Sequence, residues 1–195
     1  EKMHAKAFDA VSEAFEALSI CEERYEPWPV DISIGNFVIT GSLTGLRPEG
    51  LQVIDVGRHH GRGLLNLWIR HLVLCATAPK GVEPASRIVF TMENTPKKQQ
   101  TAFRAEPEAR QHLATLLELY WEGLHQPLPF FPKSSLTQAE GGDAKASWQS
   151  SSQHRGECEN SYYQVAFRGR DALADPFETI AKQVFQPLLT NIGVH

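Results

Sequence analysis

Apolar residues recur at three- and four-residue steps in four stretches of the chain, the spacing that places side chains on one face of a helix. These stretches predict helices over residues 1–24, 64–78, 107–124 and 176–189. Pro107 suits the start of the third helix, because the missing N–H of proline needs no partner at a first helical position. The inward face predicted for that helix comprises Leu113, Leu116, Leu117, Tyr120 and Trp121.

Alternating and β-branched residues predict strands over residues 30–34, 37–44 and 51–56. Pro48, Glu49 and Gly50 suit a hairpin turn between the last two, so we predict that the three strands pair as an antiparallel meander. Two further strands are predicted over 85–92 and 101–105, with a loop around Pro96 between them. The expected fold is α/β, with a mixed sheet that contains the meander and is flanked by helices.

The last third of the chain is less regular. Residues 137–161 are polar and poor in large apolar groups, which leaves a weak helix and a mobile loop both open. Beyond them, apolar residues are predicted to return to the core. They are Tyr162, Tyr163, Val165 and Phe167.

Composition narrows the class of protein. The chain has 195 residues, which suits a single domain over 1–195, and its 19 Lys and Arg against 23 Asp and Glu exclude a uniformly basic nucleic-acid coat. Three widely spaced cysteines fit neither a disulfide framework nor a zinc site. The longest apolar run is too short for a bilayer and no signal peptide is visible, so we predict a cytoplasmic protein without membrane contact. Because the sequence begins at Glu1, we expect it to be part of a longer chain.

Residues 37–78 have the strand–strand–helix order used by metal-dependent nucleases of the restriction-endonuclease type. In such enzymes one strand ends with an acid and the next carries an acid, a spacer and a lysine, so that two carboxylates hold a divalent metal. Here Thr44 stands at the first position, Asp55 at the second, and Gly57 where the lysine is required. One carboxylate is a poor magnesium site. We therefore predict a degenerate nuclease core with no catalytic residues, no metal and no cofactor.

Residues 56–82 form a local basic strip. They contain no Asp or Glu but carry Arg58, Arg62, Arg70 and Lys80. A local excess of positive charge on an otherwise acidic chain is typical of a surface that faces phosphates. We therefore predict that Arg58, Arg62 and Arg70 bind DNA. The strip lacks the spacing of a P-loop, and His59 and His60 have no third ligand nearby at metal spacing.

A proline-punctuated aromatic segment follows the third predicted helix. Its residues are predicted either to pack on their own domain or to anchor a partner protein. They are Trp121, Pro127, Pro129, Phe130, Phe131, Pro132 and Lys133.

Three motifs resemble the C-terminal part of the exodeoxyribonuclease V gamma chain family, the RecC subunits of RecBCD helicase–nucleases. The longest is YWEGLHQPLPFFPKS over residues 120–134. The second is YYQVAFRG over residues 162–169, and the third is FETIAKQVFQPLL over residues 177–189. The resemblance implies a nuclease-like fold without an active site, which agrees with Thr44 and Gly57 at the two degenerate positions.

The resemblance also implies a role. It predicts a non-catalytic domain that engages DNA ends and helps to hold RecB and RecD subunits, within an exodeoxyribonuclease V complex that acts in DNA repair and recombination. Two alternatives stay open from the residues alone: an active magnesium-dependent nuclease that uses Asp55, and a protein-docking module that makes no contact with DNA.

Overall fold

The computed structural model describes residues 25–56, 61–92, 95–152 and 154–193. It divides into two compact units. The first contains the described residues before 60, residues 66–113 and the chain from Asn191 onwards, and the second contains residues 61–65 and 114–190. The predicted helix over 1–24, together with Gly57, Arg58, His59 and His60, lies outside the described residues. A single domain over 1–195 stays a prediction.

The first part of the described chain contains four strands, a helix, two further strands and a second helix. They are β1 (Trp28–Ile34), β2 (Phe37–Leu43), β3 (Leu46–Arg47), β4 (Gly50–Val56), α1 (Gly61–Thr77), β5 (Ser86–Met92), β6 (Thr95–Phe103) and α2 (Ala109–His125). Several short helices, one longer helix and a last strand complete the described chain. These are α3 (Pro132–Ala139), α4 (Ala144–Trp148), a 3-10 turn (Glu157–Glu159), α5 (Ser161–Ala166), α6 (Phe177–Asn191) and β7 (Ile192–Gly193).

Two sheets form among these strands. β1 and β2 make a separate antiparallel hairpin, with Trp28 opposite Leu43 and Ile34 opposite Phe37. The other five strands lie in the order β3-β4-β5-β6-β7. β4 and β5 are parallel and are connected through α1, whereas the remaining pairs are antiparallel. The expectation of an α/β fold with a mixed sheet is therefore confirmed.

The predicted three-stranded meander is wrong, because β2 and β4 belong to different sheets. β2 ends at Leu43, and the chain bends at Gly45, whose φ is +80°. A Cβ atom at Gly45 would lie 2.6 Å from the carbonyl oxygen of Gln52, so the bend requires glycine. The turn at Pro48 and Glu49 does form a hairpin, but it joins β4 to the two-residue strand β3.

Three of the predicted helices are confirmed to within a few residues, as α1, α2 and α6. The apolar residues Phe177, Ile180, Val184 and Leu188 recur at three- and four-residue steps along α6 and are all buried. The polar stretch over 137–161 contains short helices. Within the described residues, no helix has the length and apolar character needed to cross a membrane.

Several other predictions are wrong. The apolar spacing predicts that Tyr120 and Trp121 face inward on α2, but both side chains are exposed. β6 already begins at Thr95, so Pro96 lies in a strand instead of a loop. Tyr162 and Val165 are exposed, while Tyr163 and Phe167 pack at the core of the second unit.

The first unit buries one histidine among aromatic and aliphatic side chains. His71 of α1 is fully buried and stacks on Trp68, with the ring centroids 5.4 Å apart. Its Nε2 lies 2.9 Å from the carbonyl oxygen of Arg104 and its Nδ1 lies 2.8 Å from Oγ of Ser86. A carbonyl can only accept, so Nε2 carries the proton and Nδ1 accepts from the Ser86 hydroxyl. Burial lowers the pKa of His71 to about 4.

We predict that this histidine makes the protein acid-sensitive. The unfolded chain protonates His71 below about pH 6.5, but the folded chain does so only near the pKa of about 4. Protonation therefore favours the unfolded state, and the free energy of unfolding falls by up to about 3 kcal/mol as pH drops through this window. Urea titrations between pH 7 and pH 4 measure this fall. His71→Gln should flatten the dependence, whereas His154→Gln, at an exposed position, should retain it.

Candidate nucleic-acid groove

The second unit contains an open groove of about 600 Å³. The first residues of α1, α3 and α5 line it, together with the 3-10 turn. Its charged and aromatic lining residues include Arg62, Lys133, Arg155, Glu157, Glu159 and Tyr162.

A close backbone contact brings two cations to this groove. A Cβ atom on Gly61 would lie 1.9 Å from the carbonyl oxygen of Pro132, so only glycine lets the start of α1 approach the start of α3 this closely. The next residue in each helix is basic, Arg62 in α1 and Lys133 in α3. Both are exposed, and neither side chain has an ion-pair partner in the part of the chain that the structure describes.

Glu157 fixes the start of α3. Its Oε1 accepts from the backbone N–H of Lys133 at 3.0 Å, and its Oε2 accepts from the backbone N–H and the hydroxyl of Ser134, both at 2.7 Å. Pro132 occupies the first turn, where its missing N–H needs no acceptor. The carboxylate thus serves as a cap for the free N–H groups of the helix, which no side chain of its own cap residue satisfies.

The charges around the groove are partly compensated. Arg155 pairs with Glu159, which also accepts a hydrogen bond from Ser150. The hydrogen bonds from Ser150 and Arg155 hold the pKa of Glu159 below its ordinary value. With Glu157 acting as the helix cap, Arg62 and Lys133 are the groove cations left without a carboxylate partner among the described residues.

Two tyrosines complete the lining. Burial and the Glu157 carboxylate raise the pKa of Tyr163, while the Arg62 guanidinium opposes them, which places both charges near its phenol. Tyr162 is 82% exposed, so its ring is open to solvent at the groove. Asn160 holds the start of α5 beneath it, because its side-chain oxygen accepts from the Tyr162 N–H at 2.9 Å.

Arg70, another arginine of the predicted basic strip, does not line this groove. Arg70 lies in the first unit, where its Nη2 donates to the carbonyl oxygen of Thr44 at 2.7 Å and approaches the Thr44 hydroxyl at 3.4 Å. Partial burial lowers the pKa of Arg70. These hydrogen bonds of the Arg70 guanidinium therefore stabilise the chain where β2 ends. Arg58 lies outside the described residues.

Of the three degenerate nuclease positions, the structure describes only Thr44 completely. Asp55 lies in β4 with its backbone opposite Phe90 of β5, but its side chain is outside what the structure describes, as is Gly57. Within the described ranges, no three His, Cys, Asp or Glu side chains cluster closely enough to hold a metal.

The proline-punctuated segment packs mainly on its own unit. Phe131 is fully buried against Trp148 and Tyr163, with ring centroids 4.3 Å and 4.9 Å away. Phe130 stacks on Phe185 of α6 at 5.8 Å. Pro129 is buried and Pro132 half-buried, whereas Trp121 and Pro127 are exposed. Phe131 therefore anchors the core of the second unit.

Sequence reasoning missed Glu157 and Tyr162 as groove residues. Pro132 does indicate in the sequence that a helix starts just before Lys133, because proline favours the first turn of a helix. Glu157 has no such signal, since it lies 24 residues from the backbone N–H of Lys133 that it caps.

Comparison with known proteins assigns the family. The profile of the RecC C-terminal domain matches residues 2–143, nearly three quarters of the chain. The chain belongs to the RecC C-terminal domain family. It is also 27% identical over 119 residues to the RecBCD enzyme subunit RecC of Escherichia coli (strain K12), an alignment that covers 58% of this chain and 10% of that protein.

The family profile covers only part of the groove of this RecC C-terminal domain. Arg62 and Lys133 fall within the matched residues, and so does the close contact between Gly61 and Pro132. The other lining residues, from Arg155 to Tyr163, lie beyond them.

We predict that the Glu157 cap stabilises this RecC C-terminal domain. Glu157→Ala removes the acceptor of three hydrogen bonds, so the free energy of unfolding should fall by about 1–2 kcal/mol. Urea unfolding of the chain measures the change. Glu178→Ala is the matched control, because it removes an exposed pair with Lys182 and a first-turn charge of α6 but no capping hydrogen bond, and it should cost about 0.5 kcal/mol. Equal unfolding midpoints for the two variants would contradict the capping role.

Proposed function

We propose that this chain is the C-terminal domain of a RecC-type subunit in a RecBCD-like helicase–nuclease. In this role it engages DNA ends and contributes to assembly with RecB- and RecD-type subunits, in the repair of double-strand breaks by homologous recombination. The relative that it matches is named as a RecBCD enzyme subunit. The observation that carries the DNA contact is the presence of Arg62 and Lys133 on one groove, both without an ion-pair partner among the described residues.

The groove has the chemistry of a strand-binding surface. Its two cations favour phosphates, and Tyr162 offers an open ring on which a base can stack. The whole chain carries a net charge of −4, so attraction for DNA has to be local. Of the three arginines that the sequence predicts to bind DNA, Arg62 is the one that lines the groove. Arg58 remains part of the proposal on sequence grounds, while Arg70 is engaged with Thr44.

The proposed domain is non-catalytic, with a sheet inherited from a nuclease. In sequence order, Thr44 holds the position of the first metal-binding acid, but it follows β2, which lies in a different sheet from the β4 strand of Asp55. The cationic Arg70 is hydrogen-bonded to Thr44, and its positive charge disfavours a divalent cation there. Asp55 is then a single acid where magnesium requires several oxygen ligands.

We expect loss of the two groove cations to change how DNA-end binding depends on salt. In the assembled complex, Arg62→Ala with Lys133→Ala should lower the magnitude of the slope of log K against log salt concentration by about 1.4–1.8, as for two lost phosphate contacts. Fluorescence anisotropy with a labelled duplex end measures the slope. Lys182→Ala, at an exposed lysine already paired with Glu178, should leave the slope unchanged. An unchanged slope in the double variant would remove the groove from the DNA-binding surface.

A separate measurement tests the absence of nuclease activity. The purified chain, incubated with linear DNA and Mg²⁺, should degrade no more DNA than its Asp55→Ala variant, because one carboxylate does not assemble a magnesium site. Gel analysis of the DNA over time gives the comparison. Degradation that requires both Mg²⁺ and Asp55 would establish the active-nuclease alternative.

A further inference from the structure

The short helix α5 has an inner and an outer face of different character. On the inner face, Tyr163 and Phe167 pack against the buried Phe131, with ring centroids 4.9 Å and 5.2 Å away, and they attach the helix to the core of the second unit. On the outer face, Tyr162 and Val165 are 82% and 76% exposed, the highest values among the large apolar side chains that the structure describes. Packing therefore accounts for the inner face of α5 but not for the outer one.

Two arginines continue the outer face beyond the end of α5. The backbone N–H of Arg168 donates to the carbonyl oxygen of Val165, a three-residue step that keeps both side chains on the same side of the chain. Gly169, with φ +73°, then turns the chain, and the N–H of Arg170 donates to the carbonyl oxygen of Phe167 at 3.0 Å. Both arginines are exposed, and neither side chain has an ion-pair partner among the described residues.

The charge of this segment is positive. Residues 161–170 contain two arginines and no Asp or Glu. The next acid along the chain, Asp171, is engaged in its own turn, where its Oδ1 accepts from the backbone N–H of Leu173 at 2.9 Å. The groove with Arg62 and Lys133 lies at the start of α5, so cations are found at both ends of this short helix.

An open aromatic ring between two groups of cations suits an unpaired nucleic-acid strand. Tyr162 lines the groove, and the rise of six helical residues, about 9 Å, separates it from Arg168. This length corresponds to about two or three nucleotides at the rise of stacked bases. Bases can stack on such a ring while their phosphates face the cations, whereas the bases of a duplex are already covered by their neighbours. Because Tyr162 belongs both to the groove and to the outer face of α5, one strand can follow the two surfaces.

We propose that the outer face of α5 extends the DNA groove and binds unpaired nucleotides of a DNA end. Tyr162 stacks on a base, Val165 packs beside it, and Arg168 and Arg170 bind the phosphates of the nucleotides that follow. The inference rests on the proposed function, because it takes the groove as a DNA contact. It adds a second set of contact residues and specifies that the strand which they hold is unpaired.

The first test measures base stacking in the complex of the full-length protein with its RecB- and RecD-type subunits, without ATP. Tyr162→Leu should weaken binding of a forked DNA end about fivefold or more, as expected for the loss of one base–aromatic stack, whereas Tyr162→Phe keeps the ring and should stay within about twofold of the wild type. Tyr120→Leu is the matched control, because Tyr120 is an exposed tyrosine of the same unit that does not line the groove. It should also stay within about twofold.

A closed DNA end tests whether the bound strand is unpaired. When the terminal base pair is covalently cross-linked, no base is free to stack, so Tyr162→Leu should bind this end as tightly as the wild type does. Because the substituted side chain is exposed, the variant should also keep the wild-type melting temperature and assemble fully with the other subunits.

A second variant tests the phosphate contacts. Arg168→Ala with Arg170→Ala should lower the magnitude of the slope of log K against log salt concentration by about 1.4 on the forked end, as for two lost contacts to a single strand. Lys145→Ala removes an exposed cation of the same unit that lies outside the groove, and it should leave the slope unchanged.

Three results would overturn the proposal. The first is wild-type binding of the forked end by Tyr162→Leu, the second is an equal loss on the cross-linked end, and the third is an unchanged slope for the double arginine variant. Loss of subunit assembly in these variants, with DNA binding intact, would assign the face to a protein partner instead. Failure of the proposed function is visible separately, as an unchanged slope for the Arg62 and Lys133 variant.

Discussion

The arrangement of the groove depends on one close contact between backbones. Gly61 begins α1 directly against the carbonyl group of Pro132, at a distance that no side chain would tolerate. This contact places the next residue of each helix, Arg62 and Lys133, on the same surface. Any larger residue at position 61 would push the two helix ends apart and separate the cations. A steric constraint at one glycine therefore determines the electrostatics of the groove.

Carboxylates near the groove stabilise the protein's own structure. Glu157 satisfies the free N–H groups of α3, and Glu159 is bonded to Ser150 and Arg155. The lining has three basic residues, Arg62, Lys133 and Arg155, and two acidic ones, Glu157 and Glu159, so the groove keeps a small excess of positive charge. A chain with more acidic than basic residues can in this way present a basic surface of limited extent.

Buried side chains hold the larger sheet of the first unit together. The strand–helix–strand crossover β4–α1–β5 packs through residues such as Leu51, Trp68 and Ile88. Thr44 follows β2, which lies in the other sheet, and its carbonyl and hydroxyl oxygens accept hydrogen bonds from Arg70. A fold of this kind does not by itself specify an activity, so function has to be argued from particular side chains.

The sequence by itself determined the local elements and the family. The helices α1, α2 and α6, the hairpin β1–β2 and the turn before β4 follow from periodicity and turn residues, which are properties of neighbouring positions. The motif around residues 120–134 pointed to the family that the wider match then assigned. Tertiary structure alone decided which strands share a sheet, since the bend at Gly45 depends on the distant carbonyl group of Gln52. It also decided that Phe131 is buried while Tyr120 and Trp121 are exposed, and that Glu157 caps a helix 24 residues away. Apolar periodicity specifies which face of a helix is apolar, but only the rest of the folded chain determines how much of that face is covered.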